Sequence, residues 1–158
     1  MGKFSTLILT IGIPSSGKST WVRKYVQEHK MVHVISTDAI RQELFGYQDP
    51  PNSEEVHKEA LKRAKSYFED PANNVGLGPE VIIDATNVDV EEWKRYKALN
   101  TSVMYAKIFD ISPAEAMERQ LVGRKERIVP YEVIERKYKQ LQENKKYIPF
   151  YFNMIVWF

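Results

Sequence analysis

Short apolar segments alternate with longer amphipathic segments along this chain. The apolar segments are rich in β-branched residues and have the length of buried strands. The predicted strands are Phe4–Ile11, His33–Ser36, Val81–Asp84, Ser102–Phe109 and Asn153–Phe158. Strands that alternate with helices in this way favour an α/β fold with a mostly parallel sheet.

The amphipathic segments carry helix start signals in addition to their apolar stripes. Two helices are predicted between the second and third strands. One covers about Asp38–Phe45, and the other follows Ser53 with an apolar face of Val56, Ala60, Ala64 and Tyr67. Asp89 is expected to cap a helix that turns Trp93, Tyr96 and Leu99 inward. Ser112 and Pro113 have the order of an N-cap and a first helical residue, and Pro130 opens the last long helix.

Residues 12–20, GIPSSGKST, fit the phosphate-binding loop G-x-x-x-x-G-K-[ST] at every fixed position. An apolar strand precedes the loop, and Trp21, Val22 and Tyr25 follow it at helical spacing. A strand, a glycine loop and a helix are the context that the motif requires. The sequence therefore predicts that this loop binds the phosphates of a nucleotide.

Each residue type in the loop has a physical task. Gly12 and Gly17 permit backbone angles at which consecutive N–H groups turn towards a phosphate. Lys18 supplies a positive charge for the outer phosphates, and Ser19 offers its hydroxyl to Mg²⁺. The predicted nucleotide-binding residues of the loop are Gly12, Pro14, Ser15, Ser16, Gly17, Lys18, Ser19 and Thr20.

The second predicted strand ends in the segment STDAIR, residues 36–41. In a parallel sheet this end lies at the same edge as the phosphate loop. Asp38 is then placed to accept a proton from an attacking hydroxyl, and Arg41 follows on the same helix face to hold a phosphate of the acceptor. The alternative is that Asp38 only caps the helix, since Asp is a favoured N-cap residue.

The third predicted strand also ends in a carboxylate, Asp84, followed by the polar turn Ala85-Thr86-Asn87. Asp84 occupies the position of a residue that supports a metal or an acceptor from the second coordination sphere. A turn in which Asp84 only caps the end of the strand explains the same residues equally well, so both interpretations of Asp84 stay open.

The net charge is only +2, but residues 119–146 hold nine Lys and Arg against four Asp and Glu. Arg119, Arg124, Lys125 and Arg127 lie between two predicted helices and suggest a helical lid over about residues 112–145. The expected role is contact with phosphate, and the alternative is a solvated helix face. Arg124 and Arg127 complete the predicted nucleotide-binding set.

Other features of composition exclude whole classes of site. There are no cysteines, which excludes disulfides and suits a reducing, cytoplasmic compartment. No apolar run reaches the length of a membrane span, so no membrane partner is expected. The histidines at 29, 33 and 57 have no metal-ligand spacing and are expected to be structural or on the surface, while the tryptophans at 21, 93 and 157 are expected in the core.

The segments GIPSSGKSTW, STDAIR, VIIDATN and GRKERIVPYEVIERKYKQL occur in this order over nearly the whole chain. Together they resemble the kinase domain of phage and bacterial polynucleotide kinases. The resemblance implies a nucleoside-kinase-like P-loop fold with a five-stranded parallel sheet. It also implies ATP- and Mg²⁺-dependent phosphorylation of a 5′-hydroxyl on DNA or RNA. The catalytic residues it implies are Lys18, Asp38 as general base, Arg41 on the acceptor phosphate, and Arg124 in the lid.

The sequence departs from the family pattern in two places. The family often has a second lid arginine four residues before the position of Arg124, where this chain has Gln120. Arg119 is adjacent, but a shift of one residue turns a helical side chain by about 100°, so it receives no role from the resemblance. The chain also has no phosphatase or ligase domain, so we expect a single kinase domain over residues 1–158 that acts alone or with separate partners.

Two other functions share part of this pattern. A P-loop kinase of a small molecule, such as a nucleoside, sugar, antibiotic or amino-sugar nucleotide, would use the same loop, base and lid. A nucleotide-dependent switch of the GTPase type would need Asp-x-x-Gly and Asn-Lys-x-Asp segments, and neither occurs in the sequence. The choice between DNA and RNA, the nucleobase of the donor and the oligomeric state stay open.

Overall fold

Five parallel strands form the centre of the molecule in a computed structural model that describes residues 4–46, 53–123 and 128–158. The strands are β1 (Thr6–Gly12), β2 (Val32–Ser36), β3 (Glu80–Asp84), β4 (Val103–Phe109) and β5 (Met154–Trp157). Their order across the sheet is β2-β3-β1-β4-β5, and every neighbouring pair is parallel. The predicted α/β fold with a five-stranded parallel sheet is confirmed, and each predicted strand is present with its ends within two residues of the prediction.

Helices connect the strands. They are α1 (Lys18–Glu28), α2 (Thr37–Phe45), α3 (Ser53–Glu69), α4 (Val90–Lys97), α5 (Pro113–Gly123), α6 (Tyr131–Asn144) and α7 (Ile148–Tyr151), with short 3-10 turns at Pro71–Asn73 and Lys145–Tyr147. The predicted caps of Asp89 and Ser112 are confirmed, since their side chains accept hydrogen bonds from the N–H groups of Glu91 and Glu115. None of the helices in the described segments is long and apolar enough to cross a membrane.

Alternation along β1 sends its side chains into two separate cores. Leu7, Leu9 and Ile11 pack with the inner faces of α3 and α4, whereas Ile8 packs with Val22 on the side of α1. All of these side chains are buried. A strand that is buried on both faces needs helices on both sides of the sheet, which explains the continuous apolar run in its sequence.

Packing also corrects two details of the sequence prediction. The buried face of α3 continues from Ala64 to Phe68, while Tyr67 is half-buried and stacks on His33 at a centroid distance of 4.1 Å. Trp157 was predicted in the core, but it is 52% exposed because β5 is an edge strand with one partner. Trp93 is fully buried as predicted.

One acidic side chain is buried in the helical layer. Glu92 of α4 lies 3.2 Å from Nδ1 of His57 on α3 and 3.7 Å from the guanidinium of Arg95. The prediction that His57 is structural holds to this extent, since it packs between helices. Burial raises the pKa of Glu92 to about 7, and the nearby charge of Arg95 opposes this shift. The folded protein therefore favours the neutral carboxyl more strongly than the unfolded chain does.

The titration of Glu92 makes its contribution to stability depend on pH. Between its ordinary pKa of 4.5 and about 7, the folded state binds more protons at this group than the unfolded state. The contribution is complete below about pH 4.5 and is lost as the pH rises through 7. As the pH rises from 4.5 to 7, the free energy of unfolding of Glu92→Gln, measured in denaturant, should therefore increase relative to that of the wild type. Glu91→Gln, on the exposed side of the same helix, is the control and should show no such gain; equal slopes for all three proteins would contradict the prediction.

Candidate nucleotide and acceptor site

The topology brings the carboxyl ends of the central strands to one edge of the sheet. β1 lies between β3 and β4, and the chain leaves β1 for the β2 side before it returns to β4 on the other side. The crevice at such a switch point is the usual ligand site of open α/β sheets. The registers Gly12↔Phe109 and Ser36↔Asp84 place the phosphate loop, the start of α2 and Asp84 at this edge.

The phosphate loop connects β1 to α1 with an alternating backbone. Ser15 has φ 64° and Gly17 has φ 101°, both in the left-handed region, which is uncommon for a residue such as Ser15. Alternating hands turn successive N–H groups to one side and form a cradle for an anion. The Ser15 hydroxyl is buried without a hydrogen-bond partner among the described residues, so the loop also holds a polar atom that a ligand oxygen would satisfy.

Gly12 is required by close packing rather than by its backbone angles. A Cβ on Gly12 would lie 2.7 Å from the carbonyl oxygen of Phe109 and 2.7 Å from Oγ of Ser16. The N–H of Gly12 also donates to the carbonyl of Thr86 at 2.9 Å. The start of the loop is therefore locked between β4 and the turn that follows β3.

The Lys18 side chain folds back over the loop and is buried. Its Nζ donates to the carbonyl oxygen of Ile13 at 2.6 Å and to Oγ of Ser16 at 3.3 Å. The ammonium thus lies beside the cradle formed by the loop N–H groups. This is the place that the motif predicts for the charge that meets the outer phosphates.

Ser19 and Asp84 form the second polar contact of the site. Oγ of Ser19 donates to Oδ2 of Asp84 at 3.0 Å, across 65 residues of sequence. Burial raises the pKa of the Asp84 carboxyl, while the Ser19 hydrogen bond and the charge of Lys18 oppose that rise. The sequence allowed two interpretations of Asp84, a capping turn and support of a metal. In the structure its carboxylate accepts a hydrogen bond from the hydroxyl of Ser19 in the phosphate loop.

These two residues have the donor chemistry that Mg²⁺ takes. Within residues 4–46, 53–123 and 128–158, no three His, Cys, Asp or Glu side chains form a metal-binding group. Mg²⁺ in phosphate sites commonly uses only one or two protein oxygens together with water and the phosphates. A hydroxyl in contact with a carboxylate beside the phosphate loop fits that requirement.

Asp38 and Arg41 lie together at the start of α2. Nη1 of Arg41 donates to Oδ1 of Asp38 at 2.8 Å, and the Asp38 side chain is 62% exposed. The N-cap of α2 is Ser36, whose Oγ accepts from the N–H of Ala39 at 3.2 Å. The alternative interpretation of Asp38 as the N-cap is therefore wrong, and its carboxylate is open to solvent beside Arg41.

The two residues at the predicted lid position separate into different tasks. Gln120 is fully buried, and its amide donates to the carbonyl of Val129 and accepts from the N–H of the same residue, at 2.9 and 2.8 Å. Arg119 faces the phosphate loop: its Nη1 lies 3.8 Å from where a Cβ on Gly17 would be, and its Nη2 donates to Glu115 at 2.8 Å. Because the two residues are adjacent on the helix, Gln120 packs inside the protein and Arg119 lies beside the phosphate loop.

Other parts of the predicted lid have a mixed outcome. Helices α5 and α6 occur where expected, and Ala116 and Ile134 pack on Ile13 of the phosphate loop. Arg124, Lys125 and Arg127 lie outside the described residues, so their predicted roles stay predictions. A cavity of about 390 Å³ adjoins Arg119 and is also lined by Glu115, Glu118, Val122 and Gly123.

Solved structures share this fold. A chain of the Pnkp1/Rnl/Hen1 RNA repair complex matches with a TM-score of 0.74 and 23% identity, and a chain of a further Pnkp1/Rnl/Hen1 complex matches with 0.60 and 25%. The matches cover 92% and 81% of this chain but 47% and 44% of those chains, so this chain spans less than half of their length. A gluconokinase from Sinorhizobium meliloti 1021 matches with a TM-score of 0.62 and 15% identity over 98% of this chain and 83% of that one.

This chain thus shares its fold with these structures, one of which is a gluconokinase. The sequence itself matches a family over residues 7–146, which include the phosphate loop, α2 and both helices of the predicted lid. With most of its length matched, this chain belongs to the AAA domain family AAA_33.

Proposed function

We propose that this protein transfers the γ-phosphate of ATP to the 5′-hydroxyl end of DNA or RNA. The observation that carries the proposal is the Asp38–Arg41 pair at the open edge of the sheet, beside the Ser19–Asp84 contact of the phosphate loop. A base next to an arginine suits an acceptor that presents a hydroxyl close to an anionic group. A nucleic-acid 5′ end has this arrangement, with a phosphate after its first nucleoside.

The donor side would use the loop as a phosphate cradle. The N–H groups of residues 15–20 would hold the phosphates of ATP, with Lys18 on the outer phosphates and Arg119 approaching from α5. Ser19 and Asp84 would hold Mg²⁺, which supplies positive charge to those phosphates when bound. Arg124 and Arg127 are proposed to add to this charge from the segment between α5 and α6.

The acceptor side would use Asp38 as general base. Its carboxylate takes the proton of the 5′-hydroxyl as that oxygen bonds to the γ-phosphorus and the bond to the β-phosphate oxygen breaks. Arg41 orients the acceptor through the following phosphate and holds Asp38 in place through their 2.8 Å contact. Separate phosphatase or ligase partners, which the family resemblance implies, remain a prediction.

A small-molecule acceptor is the second candidate, and the likeness to a gluconokinase over 98% of the chain favours it. A sugar acid also presents a hydroxyl near an anionic group, so Asp38 and Arg41 would serve it equally well. The choice depends on the acceptor and not on the donor chemistry.

Labelled ATP offered with a panel of acceptors tests the proposal directly. The panel contains 5′-hydroxyl DNA and RNA oligonucleotides, nucleosides and sugar acids, and Lys18→Ala is the inactive control. We expect label on the oligonucleotides and none with the control protein. Label on a sugar acid and not on any oligonucleotide would replace the proposal with the small-molecule kinase.

Asp38→Asn is expected to lower kcat by about 100-fold or more, because the amide keeps the size of the side chain but cannot take a proton. The melting temperature should stay near that of the wild type, since Ser36 and not Asp38 caps α2. Asp70→Asn, at an exposed turn away from the site, is the control variant. A kcat close to the wild-type value would remove Asp38 from the reaction.

Arg41→Ala is expected to affect acceptors according to their phosphate. A nucleoside 3′-monophosphate should lose much more kcat/KM than the bare nucleoside, because only the former offers the group that Arg41 holds. Steady-state kinetics of both acceptors with both proteins measure the difference. An equal loss for the two acceptors would mean that Arg41 does not read the phosphate.

Arg119→Ala is expected to lower kcat by about tenfold or more, as removal of one donor to the transferring phosphoryl group does in other enzymes. Arg119→Lys should recover only part of the rate, since a lysine has one nitrogen and cannot place one on Glu115 and a second beside the phosphate loop, as the guanidinium does. Kinetics with varied ATP separate kcat from KM. A raised KM for ATP with an unchanged kcat would assign Arg119 to donor binding alone.

A further inference from the structure

An aromatic cluster lies beside the phosphate loop and has no part in the proposed reaction. It consists of Trp21 of α1, Phe109 at the end of β4 and Phe158, which directly follows β5. The ring centroid of Phe109 lies 6.2 Å from that of Trp21 and 5.1 Å from that of Phe158. Phe109 is buried, whereas Phe158 is 75% exposed. The cluster therefore connects the interior of the protein to an open aromatic ring.

The cluster reaches the phosphate loop through Phe109. A Cβ on Gly17 would lie 3.9 Å from Cδ1 of Phe109, so the ring packs directly against the loop. The register of β1 and β4 also pairs Gly12, the first residue of the loop, with Phe109. Phe158 continues this alignment on the next strand, because its N–H donates to the carbonyl oxygen of Ile108 at 2.8 Å. The exposed ring thus lies at the same edge of the sheet as the phosphate cradle.

A lysine of β4 lies against the exposed ring. Nζ of Lys107 lies over the Phe158 ring, 5.3 Å from its centroid, and over the Trp21 ring at 5.5 Å. The Lys107 side chain is packed inside the protein, since only 9% of the residue is exposed. A cation over the face of an aromatic ring is attracted by the quadrupole of that ring. Phe158 therefore has a fixed neighbour, although most of its surface is open to solvent.

The geometry of phosphoryl transfer determines which part of the donor comes to this side. The attacking and leaving oxygens lie roughly in line, on either side of the γ-phosphorus. Under the proposed function the acceptor approaches at Asp38, which follows β2 at one end of the strand order. The rest of the donor must then extend towards the opposite end, where β4 and β5 lie. The nucleobase is separated from the phosphates by one ribose, and Phe158 is an open aromatic surface on that side.

We propose that Phe158 stacks against the nucleobase of the donor, on the β4–β5 side of the phosphate loop. This inference rests on the proposed function, which supplies the donor and the direction of the acceptor. Every nucleobase has a flat π-face, and stacking on an aromatic side chain binds bases without hydrogen bonds. Phe109 and Lys107 position the ring. Phe158 is then a donor-binding residue, without a part in the transfer of the phosphoryl group.

The test compares Phe158→Ala with Trp157→Ala. Trp157 is a matched control, because its ring is also exposed and strand alternation places it on the other face of the sheet. Calorimetric titration with MgATP needs no acceptor. For Phe158→Ala we expect the Kd of ATP to rise about 10- to 100-fold, the scale of removing an aromatic ring on which a base stacks, while Trp157→Ala keeps the wild-type Kd. Inorganic triphosphate, which has no base, should bind both variants as it binds the wild type.

Two further variants separate stacking from apolar packing. Phe158→Tyr keeps the ring and should keep the wild-type Kd, whereas Phe158→Leu keeps apolar bulk without a flat ring and should show most of the loss. Melting temperatures should stay near that of the wild type, since the side chain is mostly exposed and the backbone bond to Ile108 remains. In the labelled-ATP assay, Phe158→Ala should raise the KM of ATP and leave kcat unchanged.

The outcomes separate this inference from the proposed function. A wild type that phosphorylates oligonucleotides while Phe158→Ala keeps a normal Kd for ATP overturns the role of Phe158 alone. An equal loss for inorganic triphosphate also overturns it, because the contact would then not be with the base. An equal loss in Trp157→Ala overturns it too, because the effect would then come from the edge strand. A wild type that needs Phe158 to bind ATP but labels only sugar acids overturns the polynucleotide acceptor and supports the stacking contact.

Discussion

The close approach of Gly12 to β4 is the constraint on which the rest of the site depends. At this residue the backbone of β1 runs so near to Phe109 and Ser16 that no side chain fits. The same peptide is bonded to Thr86, and the next residue, Ile13, packs under α5 and α6. The sheet, the turn after β3 and the two helices of the predicted lid therefore meet at the first two residues of the phosphate loop. A fixed loop is what allows side chains from distant segments to act on one ligand.

Parallel strand register converts this local fit into a shared edge for polar groups. Because Ser36 is paired with Asp84, the start of α2 and the end of β3 lie at the same height as the loop. Ser19 then contacts Asp84, and Asp38 is near enough for its charge to raise the pKa of that carboxyl. Each carboxylate is steadied by a partner from another part of the site, Asp84 by Ser19 and Asp38 by Arg41. Their exposure differs, since Asp84 is half-buried and Asp38 is exposed, and this difference is why we propose separate roles for them.

Sequence predicts the parts of this structure that local chemistry decides. Patterns that span only a few residues predict the alternation of strands and helices, the phosphate loop and the caps at Asp89 and Ser112. It fails where packing between distant segments decides. Trp157 is exposed because β5 is an edge strand, and the apolar C-terminal sequence does not show which strand lies at the edge of the sheet. The inward position of Glu92 was signalled only by its distance of four residues from Tyr96, and its contact with His57 depends on how α3 meets α4.

Arg119 and Gln120 show why one residue of offset changes a role without changing a fold. The helix face that meets the segment before α6 needs a side chain that both donates and accepts, and an amide does this with Val129 while an arginine cannot accept. With the amide at position 120, the neighbouring side chain turns towards the other side of the helix, where Gly17 and Glu115 lie. Cations thus come from two elements, Arg119 of α5 beside the phosphate loop and Arg41 of α2 beside Asp38. Two anionic substrates repel each other, so under the proposed function each needs its own positive partner, and the two arginines on different elements are suited to that division of charge.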